Sequence, residues 1–227
     1  MLRRSSALFA SVVLSTLLAA GAAAHAQELT ADQIIDGVQK AYAKTENFRA
    51  VFQQTLHLRA TKRKRPSGGK LFFAKPGKFR FVYTKGDDKK VIVSDGTKVW
   101  TYMIDEAKVR VDPFSPKLAA SLRFLWGGGD LKAEFNVSEK KDSKLGKDGD
   151  HVLELVPKGD EGHYKKLIFV VDPKTFDVKQ TVVYDPVGNI NYVKFVRVDR
   201  NVDIKANTFT FKTPKGAEVT ESPELKQ

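Results

Sequence analysis

The chain has 227 residues, with 39 Lys+Arg against 27 Asp+Glu, a formal charge of +12 and no cysteine. Apolar residues at 41% and charged residues at 29% are proportions of a globular protein, not of a disordered or collagen-like one. The missing cysteine excludes disulfide frameworks, thiol nucleophiles, cysteine-based zinc sites and any lipid anchor built on a thiol, and four histidines leave little for a metal cage.

The first segment reads as an address. Arg3 and Arg4 precede an apolar run from Ala7 to about Ala20, and Ala24-His25-Ala26 places small residues at −3 and −1 of a cleavage site. A cleavable secretory signal peptide over 1–26 is expected, leaving one exported domain at 27–227. An uncleaved anchor helix is the alternative, but the run falls short of the roughly 20 residues a bilayer span needs. Gln27 stands where a lipoprotein signal would place a cysteine. Without Arg3 and Arg4 the net charge is +10, of which +8 falls between Gln27 and Phe114.

Thr30-Ala31-Asp32-Gln33 is a capping-box pattern, and Ile34, Ile35, Val38, Ala41 and Tyr42 follow at helical spacing. From Phe48 the period changes to two, with Phe48, Ala50, Phe52, Leu56 and Leu58 on one side. Arg59, Lys62, Arg63, Lys64 and Arg65 come next. They read either as a solvated hairpin loop or, through Arg63, Lys64 and Arg65, as a docking patch for anionic headgroups or an acidic partner. Nucleic acid is not an expected partner of an exported chain.

Strand-like runs continue, from LFFAK (Leu71–Lys75) and KFRFVYT (Lys78–Thr84) through AEFNVSE (Ala133–Glu139) and HVLELVP (His151–Pro157) to TFTFK (Thr208–Lys212). Asp95-Gly96 is a hairpin signal, and Pro173 and Pro186-Val187-Gly188-Asn189 mark turns. One interruption stands out: Ser115-Pro116 opens a short amphipathic helix carrying Leu118, Leu122, Leu125 and Trp126, which ends at Gly127-Gly128-Gly129. Eleven or twelve short strands with few helices predict a mainly β fold: a large antiparallel sheet or open barrel in a single domain. The aromatic strand residues Phe72, Phe73, Phe79, Phe81, Tyr83, Trp100 and Tyr102 either pack a core or leave apolar surface for a ligand. No nucleophile elbow, zinc-protease helix or P-loop occurs, so no catalytic, cofactor or metal residue is expected.

Several stretches resemble the outer-membrane lipoprotein carrier family, the LolA type: AKPGKFRFVY (Ala74–Tyr83), VSDGTKVWTY (Val93–Tyr102), YDPVGNINYVKF (Tyr184–Phe195) and FTFKTPKGAEV (Phe209–Val219), with Phe48 and Phe52-Gln53 ahead of them. The resemblance implies an unclosed eleven-stranded antiparallel barrel with a helical lid over a hydrophobic cavity, in a periplasmic monomer. It implies a chaperone that takes acyl chains of outer-membrane lipoproteins from an inner-membrane ABC-type releasing complex and passes them to an outer-membrane acceptor lipoprotein. The family's lid-closing arginine before proline is replaced at Lys75-Pro76, and lysine lacks the planar fork. The implied acyl-chain cavity is lined by Phe52, Phe79, Phe81, Trp100, Leu118, Leu122 and Leu125. A periplasmic carrier of free lipids, glycolipids or other apolar molecules on the same scaffold is the alternative. A lipoprotein-sensing regulator is a third reading, disfavoured because 27–227 leaves no room for a second domain.

Overall fold

The computed structural model describes residues 28–87, 89–114, 130–147, 149–159 and 164–223. The signal segment and the expected helix with Leu118, Leu122 and Leu125 lie outside the described residues.

Helix α1 (Ala31–Ala43) starts as expected: the Thr30 hydroxyl accepts from the Gln33 N–H and the Gln33 side chain accepts from the Thr30 N–H. Both bonds satisfy donors that a helix start otherwise leaves unpaired. Its apolar stripe, Ile34, Ile35, Val38 and Tyr42, is buried.

Six strands follow, β1 (Asn47–His57), β2 (Lys64–Ala74), β3 (Lys78–Lys85), β4 (Lys90–Asp95), β5 (Lys98–Met103) and β6 (Lys108–Pro113). A one-turn helix, α2 (Leu131–Glu134), leads into β7 (Phe135–Glu139), β8 (His151–Pro157), β9 (Lys166–Val171), β10 (Val178–Tyr184) and β11 (Ile190–Arg200). A 3₁₀ turn (Ala206–Phe209) and β12 (Glu218–Glu221) close the described chain. The twelve strands form one sheet in the order β12-β6-β5-β4-β3-β2-β1-β11-β10-β9-β8-β7. Every pairing is antiparallel except β12 with β6. The two meanders, β1–β6 and β7–β11, are joined where β11 pairs with β1, and β7 and β12 stay at opposite edges, so the sheet is an open one.

The period-two pattern decides which side chains face inward. On β1, Phe48, Ala50 and Phe52 are buried while Arg49, Val51 and Gln53 lie between them on the other face. The inward residues of β1–β3 and β7–β11 meet the buried stripe of α1 in one apolar cluster. Strands β8–β10 are covered on their outer face as well, where Val152, Ile168, Val170 and Val182 pack with Leu145 of the β7–β8 loop. Two-sided burial explains why β9 reads as an unbroken apolar run, Leu167–Val171.

Two expectations need correction. The run TFTFK does not form a strand, because β11 already has β1 and β10 on its two edges. The chain instead crosses the outer face of β3–β5 as a strap: Phe209 is buried, and the Arg80 guanidinium donates to the carbonyls of Thr208 and Thr210 at 3.2 and 3.5 Å. The twelfth strand forms later, at the β6 edge, from four exposed residues with no apolar alternation. In addition, α2 takes Ala133 and Glu134, the first two residues of the strand-like run AEFNVSE. The Asp130 carboxylate caps it by accepting from the N–H groups of Lys132 and Ala133.

Candidate functional site

The concave interior has two unlike walls. On β1–β3, Phe52 meets Phe81 edge-on at 5.5 Å and Tyr83 at 5.1 Å, and Phe79 meets Phe81 at 5.9 Å. Opposite lie Leu153, Leu155, Leu167, Phe169 and Val171 of β8 and β9, all fully buried. The structure thus brings Phe52, Phe79 and Phe81 together and buries them against the helix stripe. Burial pushes the Tyr83 phenol up to about 12.

Trp100 is a correction. Its strand neighbour Val99 faces the interior, so alternation puts Trp100 on the convex face, stacked on Phe211 of the strap at 6.0 Å. Tyr102 shares that face and approaches the same ring at 6.3 Å. Trp100, Tyr102 and Phe211 therefore anchor the C-terminal strap and do not join Phe52, Phe79 and Phe81.

Helix α1 is tied to its surroundings chiefly at its last turn. The Lys75 ammonium donates to the carbonyls of Tyr42 (3.2 Å) and Ala43 (2.9 Å), two acceptors the helix end leaves open, and Glu46 lies 3.9 Å away. A cation here also complements the negative end of the helix dipole. From the far wall, the Val178 N–H donates to the Tyr42 hydroxyl at 3.3 Å, and the Arg200 guanidinium lies 4.6 Å over the Tyr42 ring while pairing with Asp177. Burial pushes the Tyr42 phenol up to about 12, against the opposing pull of Arg200. Nearer the middle of the helix, Gln39 accepts from the Leu131 N–H at 3.0 Å, and Asp36 pairs with Lys132 at 2.7 Å. The Arg200–Asp177 pair carries no local sequence signal, since Asp177 immediately precedes β10 and Arg200 ends β11, and the two meet only through the pairing of those strands.

Arg63, Lys64 and Arg65 are all exposed. They straddle loop and strand: the Arg63 carbonyl accepts from the Leu58 N–H at 2.9 Å, and Lys64 and Arg65 begin β2 opposite His57 and Leu56. Arg63 and Arg65 border a small cleft of about 100 Å³ shared with Tyr83, Asp87 and Lys90. Among the described residues no cluster of His, Asp and Glu suited to a metal ion forms. His57 instead packs on Tyr192 at 4.8 Å, and His151 meets Glu139 at 2.8 Å.

A family model described as outer membrane lipoprotein carrier protein LolA matches residues 43–212. An outer-membrane lipoprotein carrier protein of Methylibium petroleiphilum is 31% identical over 208 residues, spanning 92% of this chain and 96% of the relative. One from Nitrosomonas europaea is 30% identical over 178 residues, spanning 78% and 83%. Among solved structures, an uncharacterized conserved protein from Thermus thermophilus superposes with a TM-score of 0.55 over 85% of this chain and 99% of its own, at 15% identity, a likeness of fold.

Proposed function

Because the chain belongs to the LolA family of outer-membrane lipoprotein carriers, we propose that it is a periplasmic chaperone that holds lipoprotein acyl chains in the sheet's concave interior on their way to the outer membrane. The observation that carries this reading is the interior itself: an apolar face of an open sheet, covered in the described residues by one amphipathic helix held at its last turn by a few polar contacts.

The energetics suit a carrier. An acyl chain of about 14 methylenes gains roughly 11 kcal/mol on leaving water, at about 0.8 kcal/mol each. The four buried side chains of α1 bury an apolar face worth roughly 1.5–3 kcal/mol apiece. Replacing the helix stripe by an acyl chain is therefore close to balanced, whereas release of the chain into water is not. Cargo would pass directly from one apolar site to the next, and no covalent step is needed. In this reading Lys75 and Pro76 close the lid, Lys75 through its hold on the end of α1. Phe52, Phe79 and Phe81 meet the acyl chains.

An inner-membrane ATP-driven releasing complex would supply the cargo and an outer-membrane acceptor would receive it, with Arg63, Lys64 and Arg65 docking against acidic surface on one of them. Replacing these three by glutamine is expected to slow transfer at low salt and to leave high-salt transfer unchanged; equal low-salt rates would return the run to a plain solvated turn. The function itself is tested by native mass spectrometry of the protein isolated from its own periplasm. A bound triacylated polypeptide is expected. Free phospholipid or glycolipid alone would overturn the lipoprotein reading in favour of a free-lipid carrier.

A further inference from the structure

Three uncharged polar side chains among the described residues are almost wholly buried: Thr45, Ser94 and Thr181. Two are accounted for. The Thr45 hydroxyl donates to the Ala41 carbonyl at 3.0 Å, and the Ser94 hydroxyl donates to the Gly77 carbonyl at 3.0 Å. The Thr181 hydroxyl, 1% exposed, meets no protein partner. A buried donor left unpaired costs about 1–3 kcal/mol, and folded proteins avoid it unless the group serves something else.

Its position says what that could be. Thr181 stands mid-strand on β10, directly opposite Phe169 of β9 and Val193 of β11. Phe169 is part of the interior cluster and Val193 packs against it, so the hydroxyl faces the concave side, on the wall across from Phe52 and Phe81. The neighbouring positions, Val182 and Val183, show the residue an apolar strand uses where no hydroxyl is needed. We propose that Thr181 is a specificity-determining residue of the interior, its hydroxyl donating to an ester or amide carbonyl of a bound acylated ligand. The inference rests on the carrier reading and deepens it. Hydrocarbon alone would be held by apolar packing on either wall, whereas an acyl group carries a carbonyl that Thr181, unlike Thr45 and Ser94, is free to meet. It also places the carbonyl end of the ligand at mid-strand depth, below the strand ends.

The test compares two probes of equal chain length on the full chain: a synthetic lipopeptide with ester-linked acyl chains, and its dialkyl ether analogue, which lacks those carbonyls. The wild-type protein is expected to favour the ester by about five- to tenfold, the worth of one hydrogen bond in a dry site. Thr181→Val should erase that preference through weaker ester binding, keep the ether affinity, and raise the thermal midpoint of the empty protein. Thr181→Ser should retain the preference and shows that the Val variant has not simply been repacked. An ester-to-ether ratio unchanged in Thr181→Val overturns the role of Thr181 and leaves the carrier reading standing. Failure of the wild-type protein to bind either probe overturns both.

Discussion

Removing the Lys75 ammonium while keeping its aliphatic stem, as in Lys75→Met, isolates what holds α1 down. Lys75 makes two hydrogen bonds to helix-end carbonyls, at 2.9 and 3.2 Å, from a side chain only 20% exposed. Bonds from a charged donor contribute about 1.5–3 kcal/mol each. Ordering the long lysine side chain costs up to about 2 kcal/mol, which leaves a net of about 2 kcal/mol. That corresponds to roughly a 30-fold rise in the population with the last turn of α1 detached. Hydrogen–deuterium exchange reads this directly: amides of Val38–Ala43 should exchange about 30-fold faster in the variant, with those of Leu167–Val170 in β9 unchanged. Lys75→Arg should restore protection, since a guanidinium fork can serve both carbonyls together. Equal acceleration across α1 and β9 would show that Lys75 contributes to global stability and not to the hold on the helix. No acceleration at all would mean that the Tyr42 and Arg200 contacts suffice. Either result refutes the reasoning.

Alkali offers a second reading of the interior. The phenols of Tyr42 and Tyr83 both titrate near 12 in the folded protein against about 10 when unfolded. The folded state thus holds these protons more tightly, so the stability they contribute is complete below pH 10 and lost as pH rises towards 12, about 2–3 kcal/mol for each. Urea midpoints at pH 9.5 and 11.5 should differ less in the Tyr42→Phe, Tyr83→Phe double variant than in the wild-type protein, and parallel losses would count against burial as the cause. Backbone proximity in the sheet makes a sharper contrast. A Cβ on Gly69 would fall 1.8 Å from the Val82 carbonyl oxygen, on rigid backbone, whereas one on Gly159 meets nothing within 4 Å. Gly69→Ala should lower the thermal midpoint by many degrees and Gly159→Ala by almost none; a well-tolerated Gly69→Ala would contradict the β2–β3 register.

Local order was legible wherever one short stretch carries its own signal. The Thr30–Gln33 capping box, the α1 stripe, the Asp95-Gly96 hairpin and most strands could be read because each depends on neighbours within a few residues. The same locality explains the misses. TFTFK has the alternation of a strand, and whether it becomes one depends on a free sheet edge, which β11 does not have. Trp100 has the composition of a cavity residue, and its face depends on the register of β5 with β4 and β6.

The candidate site divides in the same way. Phe52, Phe79 and Phe81 as a group, and Lys75 beside its proline, could be singled out through the family resemblance, which rests on motifs that are each a short stretch of the chain. The carbonyls Lys75 reaches, the Arg200–Asp177 pair beside Tyr42, and the unpartnered hydroxyl of Thr181 are facts about residues distant in sequence. Composition, charge and alternation by themselves determined a mainly β chain without cysteine chemistry, with its positive excess in the first half. Only the tertiary structure decided which face of each strand looks inward and what waits there. Strand order and register are set by pairings between β1 and β11, some 140 residues apart, and a shift of one residue would turn every interior side chain to the outside.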